Sequence, residues 1–276
     1  MLRIAVVGHV EHVTLGRISA FPTPGDIVHF SKKHVLFGGG GGLAFAQLSR
    51  SDAEIHFFTA AGEDEAGAFV VNALRRSGAH IHCATRATAH PRVVVVVDGR
   101  GRRTIFVPEP PLQPAGSDPL PWETLATCDA VYFTGADAET MQHARNARLL
   151  VTTARRANVL DAADVVADVV VGSRQDPREN MPIEVYRRTP NAIVLTDGGR
   201  TTRIVRTGGV TNVAAPERVD KVVGDYGAGD SFAAALTYFL ARGETLEAAV
   251  ALGGPYGAAV LAHESPLDST AFLGPG

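Results

Sequence analysis

The residues best suited to do chemistry lie near the C-terminus. They are Gly224-Asp225-Tyr226-Gly227-Ala228-Gly229-Asp230-Ser231-Phe232, and they run directly into the helical stretch AAALTYFLARG. Small residues ahead of a helix expose backbone N–H groups at its positive end. That environment suits a phosphate, or the charge that develops on a phosphoryl group in transfer. An aspartate embedded in such a place is costly unless it has a task. Taking the proton from an attacking hydroxyl is such a task, and it sets the base beside the transferring group. The alternative is a glycine-rich turn in which Asp230 only caps the helix.

A second glycine cluster, residues 38–42, stands between a predicted strand and the Ala-rich stretch LAFAQLSR. Glycines there let a ligand approach backbone amides closely. The cluster is not a Walker A loop, because no Gly-Lys-Ser/Thr ends it. It also fails the dinucleotide fingerprint, whose last glycine falls on Leu43. His9, Glu11 and His12 lack the spacing of a zinc motif and read as polar residues lining a site at a strand end. His80 and His82 alternate on a strand-like stretch and read as surface residues. Cys128 reads as a small buried hydrophobe, and Arg100, Arg102 and Arg103 as a hairpin tip from which one guanidinium could meet a phosphate.

The elements that must position these residues follow a βαβ rhythm. Short β-branched runs at 4–7, 55–59, 130–134, 148–152, 168–171 and 192–195 alternate with helical patterns at 43–50, 66–77, 138–146, 231–242 and 246–261. Such alternation predicts an α/β fold around a mostly parallel sheet. Two segments break the rhythm. Residues 27–37 and 92–107 read as antiparallel strands, the second turning at Asp98-Gly99-Arg100-Gly101. Together they predict a small separate sheet, a lid spanning about 12–36 and 91–108 inserted in one domain of 1–276.

The bulk properties exclude several classes. Of 276 residues 45% are hydrophobic and 20% charged, and the net charge of -3 gives no reason to expect nucleic acid or an anionic membrane as partner. Two cysteines are too few for a disulfide framework and favour a cytoplasmic setting. The opening MLRIAVVG reads as a first strand rather than a signal sequence. No apolar run reaches the ~18 to 20 residues of a membrane helix.

Four segments in register resemble the ribokinase-like (PfkB-type) carbohydrate kinases over essentially the whole chain. Gly227-Ala228-Gly229-Asp230 resembles that family's C-terminal signature. Residues 38–46, followed by Thr59-Ala60-Ala61-Gly62-Glu63-Asp64-Glu65-Ala66-Gly67, resemble its N-terminal one. Residues 92–106 resemble its lid strand, and Thr196-Asp197-Gly198 its nucleotide-contacting turn. The resemblance implies a ribokinase-like three-layer fold and ATP-dependent phosphorylation of a hydroxyl on a sugar or sugar-like molecule. Asp230 would be the general base and the amides of Gly227, Ala228 and Gly229 the anion hole. Thr196 and Gly198 would line the nucleotide site. Glu11, Gly38, Gly39 and Gly42 would face the substrate.

Mg²⁺ would bridge the ATP phosphates, mostly through waters. The chain departs from the family at three places. Gly42 stands where an asparagine normally binds substrate hydroxyls, Ser173-Arg174-Gln175-Asp176 replaces a metal-linked Asn-x-x-Glu, and Gly224 replaces the first aspartate of the C-terminal block. Asp176 is the substitute metal ligand on this reading. The acceptor is expected to be bulkier than ribose, filling space at Gly42. A nucleoside or another metabolite as acceptor, or a binding protein without turnover, are the alternatives. The apolar strand Val93-Val94-Val95-Val96-Val97 predicts a homodimer formed lid to lid.

Overall fold

The computed structural model describes residues 1–274. In chain order the elements are β1 (Arg3–Val7), β2 (Glu11–Arg17), β3 (Lys32–Gly38), α1 (Gly39–Leu48), β4 (Glu54–Gly62), α2 (Glu65–Arg75), β5 (His80–Arg86), β6 (Arg92–Val97) and β7 (Arg103–Phe106). There follow β8 (Ala130–Phe133), α3 (Ala138–Arg145), β9 (Leu150–Thr153), α4 (Ala157–Ala163), β10 (Val169–Ser173) and β11 (Ala192–Thr196). The chain closes with β12 (Thr202–Arg206), β13 (Gly209–Val213), α5 (Ala228–Ala241) and α6 (Leu246–Leu261).

Nine strands form one sheet in the order β13-β12-β11-β10-β9-β8-β1-β4-β5, parallel from β11 to β5 and antiparallel at β12 and β13. The period of two along a strand builds two cores. Ile4 and Val6 of β1 pack with Phe45 of α1, Val70 of α2, Phe232 of α5 and Val250 of α6. Ala5 and Val7 pack on the opposite face with Met141 of α3 and Leu160 of α4. The result is the expected three-layer α/β fold.

The lid is a second sheet in the order β3-β2-β6-β7. Its strands fall within residues 11–38 and 92–106, and two features differ from the expected pair of antiparallel segments. The first outer strand begins at Lys32 rather than at 27, and β2 pairs parallel to β6. The Asp98 carboxylate builds the β6–β7 turn by accepting the amides of Arg100 and Arg102 and the Arg102 guanidinium. The inner face of the lid is closed by Val13, Leu15, Leu36, Val93, Val95 and Val97 against Leu43 and Tyr226. Apolar packing thus seats the lid on the body directly over the start of α1.

His82 departs from its expected surface position. It is half-buried, tilted on Phe58, and bonded to His56 at 3.0 Å, whereas His80 is exposed. Cys128 is buried as expected.

Candidate active site

Strand order reverses at β1, whose neighbours are β8 on one side and β4 on the other. In an open α/β sheet the crevice at the carboxyl ends of such strands is where ligands bind. Here the chain leaves β1 at Val7 and enters the lid at Glu11, so His9 and Glu11 stand at the junction of lid and body. Thr134, just past β8, is locked beside them by its amide, which donates to the Val7 carbonyl at 2.8 Å.

Asp230 approaches this crevice from α5. The N-cap is Gly227, at φ +89, a conformation that favours glycine, and no side chain caps the helix. Asp230 therefore lies in the first turn without capping it. Its carboxylate receives no hydrogen bond from the described residues. The amides of Gly229 and Asp230 likewise have no acceptor among them, and that of Ala228 reaches only the Asp225 carbonyl at 3.4 Å. The helix start thus presents free N–H groups beside a free carboxylate.

Burial pushes the Asp230 carboxyl up to about 7, with Arg103 pulling it down and Glu179 pushing it up. Asp230 is half-buried rather than sealed, as a base must be if substrate is to reach it.

Glu11 faces the same space. Burial, reinforced by the charge of Asp230, raises it to about 7. His9 lies 3.7 Å from it, too far for a hydrogen bond, and burial together with Arg156 lowers the imidazole to about 4, so the ring is neutral. His12, the next histidine, points away and packs edge-on against Phe69. The expected trio is thus split by strand alternation.

The glycine cluster is divided in the same way. Gly39, at φ +80, donates its amide to the Tyr226 hydroxyl at 3.2 Å, and Gly38 backs onto the same phenol. A side chain at Gly40 would start 3.2 Å from Asp230 Oδ1 and 3.8 Å from both His9 and Thr134. Gly40 is therefore the glycine that borders Asp230. Gly42 corrects the expectation made for it. A side chain there would meet Val10 at 3.0 Å and Phe37 at 3.4 Å, so Gly42 faces the core and leaves no gap for an acceptor to fill.

On the other side of the crevice Thr196 ends β11 and donates Oγ1 to the Gly172 carbonyl at 3.2 Å, while Gly198 turns at φ +59 against Gln175. Next to this turn opens a cleft of about 630 Å³ walled by Arg174, Asp197, Arg200, Arg203 and Asn212. The buried Asp197 carboxylate holds Arg174 at 2.6 Å and Arg200 at 2.7 Å, which fixes the turn.

Asp176 stands near the end of β10, but its carboxylate is committed to Arg155 at 2.6 Å and Arg178 at 2.9 Å and is held at about 2, chiefly by Arg178. Glu179 also pairs with Arg155. Both Asp176 oxygens are taken by arginines, whereas Glu179 keeps its second carboxylate oxygen without a partner among the described residues.

Sequence reasoning missed Tyr226, Thr134, Glu179 and Arg156. Tyr226 was inside a motif that had been read for its glycines. The others carry no local signal, since their significance depends on what faces them across the crevice.

The sequence profile described as "pfkB family carbohydrate kinase" matches residues 1–271. No curated protein sequence matches the chain. Among solved structures, the ribokinase of Giardia lamblia superposes with a TM-score of 0.81 at 15% identity, covering 99% of this chain and 97% of its own. Adenosine kinase of Sinorhizobium meliloti gives 0.76 at 16% identity, over 96% and 95%. Arabidopsis thaliana ribokinase, solved with ribose and ATP, also gives 0.76 at 16% identity, over 98% and 96%.

Proposed function

The chain belongs to the pfkB family of carbohydrate kinases, and on that premise we propose that it moves the γ-phosphoryl group of ATP onto a hydroxyl of a sugar, free or within a nucleoside, or of a sugar-like molecule. One observation carries the reading. Asp230 is an unpartnered carboxylate with its pKa raised to about 7, set in the first turn of a helix whose N–H groups are unsatisfied.

In this proposal Asp230 accepts the proton of the acceptor hydroxyl as its oxygen bonds to the γ-phosphorus, and the bond to the ADP oxygen breaks. The amides of Gly227, Ala228 and Gly229 stabilise the charge on the transferring group. Glu11 and the backbone at Gly38 and Gly39 orient the acceptor. Thr196 and Gly198 border the nucleotide, which lies toward the cleft at Arg174 and Arg203. The lid excludes water from the reacting atoms.

Asp176 does not fit a directly ligated Mg²⁺, because Arg155 and Arg178 take both of its oxygens, and Glu179, paired with Arg155 through one oxygen, has only the other to offer. Mg²⁺ would therefore be held mostly by the nucleotide's own phosphates and waters, in keeping with its reluctance to dehydrate, and would supply charge neutralisation there.

A second copy of this chain is the proposed partner. On the outer face of the lid, Val35, Thr14, Val94 and Phe106 are aligned across four strands, with Val35 46% and Phe106 50% exposed. An apolar row on an exposed sheet calls for cover.

The test is ADP formation from ATP across a panel of sugars, nucleosides and other polyols. Acceptor-dependent ADP release that is lost in Asp230→Asn supports the proposal. Acceptors that bind without any ADP release would point instead to a binding protein on this fold. Among the described residues no helix is long and apolar enough to cross a membrane.

A further inference from the structure

Arg156 follows β9 at the N-cap of α4, half-covered at the carboxyl end of the sheet. It donates Nε to the Thr134 carbonyl at 2.9 Å, and no carboxylate lies within ion-pair distance among the described residues. The contrast with its peers is sharp. Arg3, Arg86, Arg145, Arg174 and Arg206 are covered to a similar degree, and each holds a carboxylate within 3.0 Å. Arg17, on the lid, gives its guanidinium to the Val223 carbonyl. A guanidinium has five N–H groups, so Arg156 keeps most of them unused in a place where burying charge is costly.

Two further donors beside it are orphaned. His9 Nε2 accepts the Gly40 amide at 3.3 Å, which puts the proton of the neutral ring on Nδ1, and Nδ1 is buried without an acceptor. Thr134 Oγ1 is buried without a partner as well. The His9 ring and the Thr134 methyl both lie 3.8 Å from the same point at Gly40, and Asp230 lies 3.2 Å from it. The Thr134 hydroxyl itself lies against Gly8, so the ends of β1 and β9 bring two donors, His9 and Arg156, to the border of the crevice with no acceptor to match them.

We propose that Arg156, with His9, forms an anion subsite, and that the acceptor carries a phosphate in addition to the hydroxyl it presents to Asp230. The inference rests on the kinase reading above. The anion belongs to the acceptor rather than to ATP because the arginine-walled cleft is at β10 to β12, on the far side of β9 from His9. The transferring phosphoryl group already has the start of α5.

The test is equilibrium titration of three matched pairs with and without an anionic group: glycerol and glycerol 3-phosphate, ribose and ribose 5-phosphate, fructose and fructose 6-phosphate. Each is titrated into wild type, Arg156→Gln and Arg156→Lys, with ATP titrated separately. A charge-assisted bond should make at least one anionic member bind wild type roughly 10- to 150-fold more tightly than its neutral partner. That preference should fall to within about 3-fold in Arg156→Gln and survive in part in Arg156→Lys, with ATP affinity unchanged.

No preference in any wild-type pair overturns the inference, and that comparison stands even if Arg156→Gln fails to fold. Weakened ATP binding in Arg156→Gln with the acceptor preference intact overturns it too, by giving the arginine to the nucleotide. Because the readout is binding, a failure of the kinase reading shows separately, as an anion preference without ADP formation.

Discussion

The Arg103 guanidinium holds the Asp225 carboxylate at 2.7 Å and ties β7 of the lid to the loop that leads into α5. The pair is about a third exposed on each side, so its net worth to stability is about 0 to 1 kcal/mol. Its field matters more, because the positive charge of Arg103 draws the pKa of Asp230 down. Arg103→Ala is therefore expected to move the acid limb of the kcat/KM profile to higher pH while thermal unfolding changes little. An unmoved limb would show that the lid arginine does not act on the base.

The wild-type profile follows from the same carboxylate. Below about pH 7 Asp230 is protonated and cannot take a proton, so kcat/KM should rise with pH through about 7 and then level. Asp230→Asn should lower kcat by roughly 10² to 10⁴ and leave ATP affinity nearly intact; a variant that keeps more than half of wild-type kcat would remove the base from the mechanism.

Stability gives an independent check on that carboxylate. The folded pKa lies above the ordinary 3.8, so between about pH 4 and 7 the folded state holds a proton that the unfolded state has lost. Stability from this group is thus present below the ordinary value and declines as pH rises to the folded one. Asp230→Asn should flatten that decline in pH-dependent thermal melts, and a slope identical to wild type would mean that the carboxyl is not perturbed.

Much of the fold was legible because its signals are local. The helix at 246–261 has the bounds its apolar spacing indicated, and each buried parallel strand announced itself as a short β-branched run. The start of α1 was not legible. Glycine is a poor helix former, so the helix was placed from Leu43, yet it begins at Gly39 because the first turn packs against the backbone of Gly8 and His9. Strands β12 and β13 were missed for a different reason. They form the antiparallel edge of the sheet, and β13 is exposed along most of its length, so neither shows the run of a buried strand. In the site, Asp230 could be read from its neighbours in sequence. Arg156 could not, since its meaning lies in the carboxylate it lacks.

Two glycines two positions apart allow the site to be separated from the core. Gly42→Asn would drive a side chain into Val10 and Phe37, at 3.0 and 3.4 Å from its first atom, so overpacking should cost about 1 to 3 kcal/mol in chemical denaturation. It should give no gain on simple sugars. Gly40→Ala would place a methyl 3.2 Å from Asp230 Oδ1 and toward the crevice, so it should lower kcat with a smaller effect on stability. The reverse pattern, with the larger loss of activity at 42 and the larger loss of stability at 40, would contradict the placement of the two residues.

The lid row bears on assembly. Val35 and Val94 both face Thr14 across the outer surface, and Phe106 continues the row at the edge strand β7. Had the row served only the interior of the monomer, Val35 and Phe106 would be covered, yet about half of each is open to solvent. Two copies meeting lid to lid would bury the row and also shield the free edge of β7, which is otherwise open to unwanted pairing. Sedimentation of the wild type at tens of micromolar should therefore give a dimer. Phe106→Asp should shift it to monomer with the melting temperature nearly unchanged, because an aspartate there costs the exposed surface of a monomer little but is buried without a partner in the dimer. A wild type that sediments as a monomer would remove the lid interface altogether. A dimer that survives Phe106→Asp would locate the contact elsewhere on the molecule.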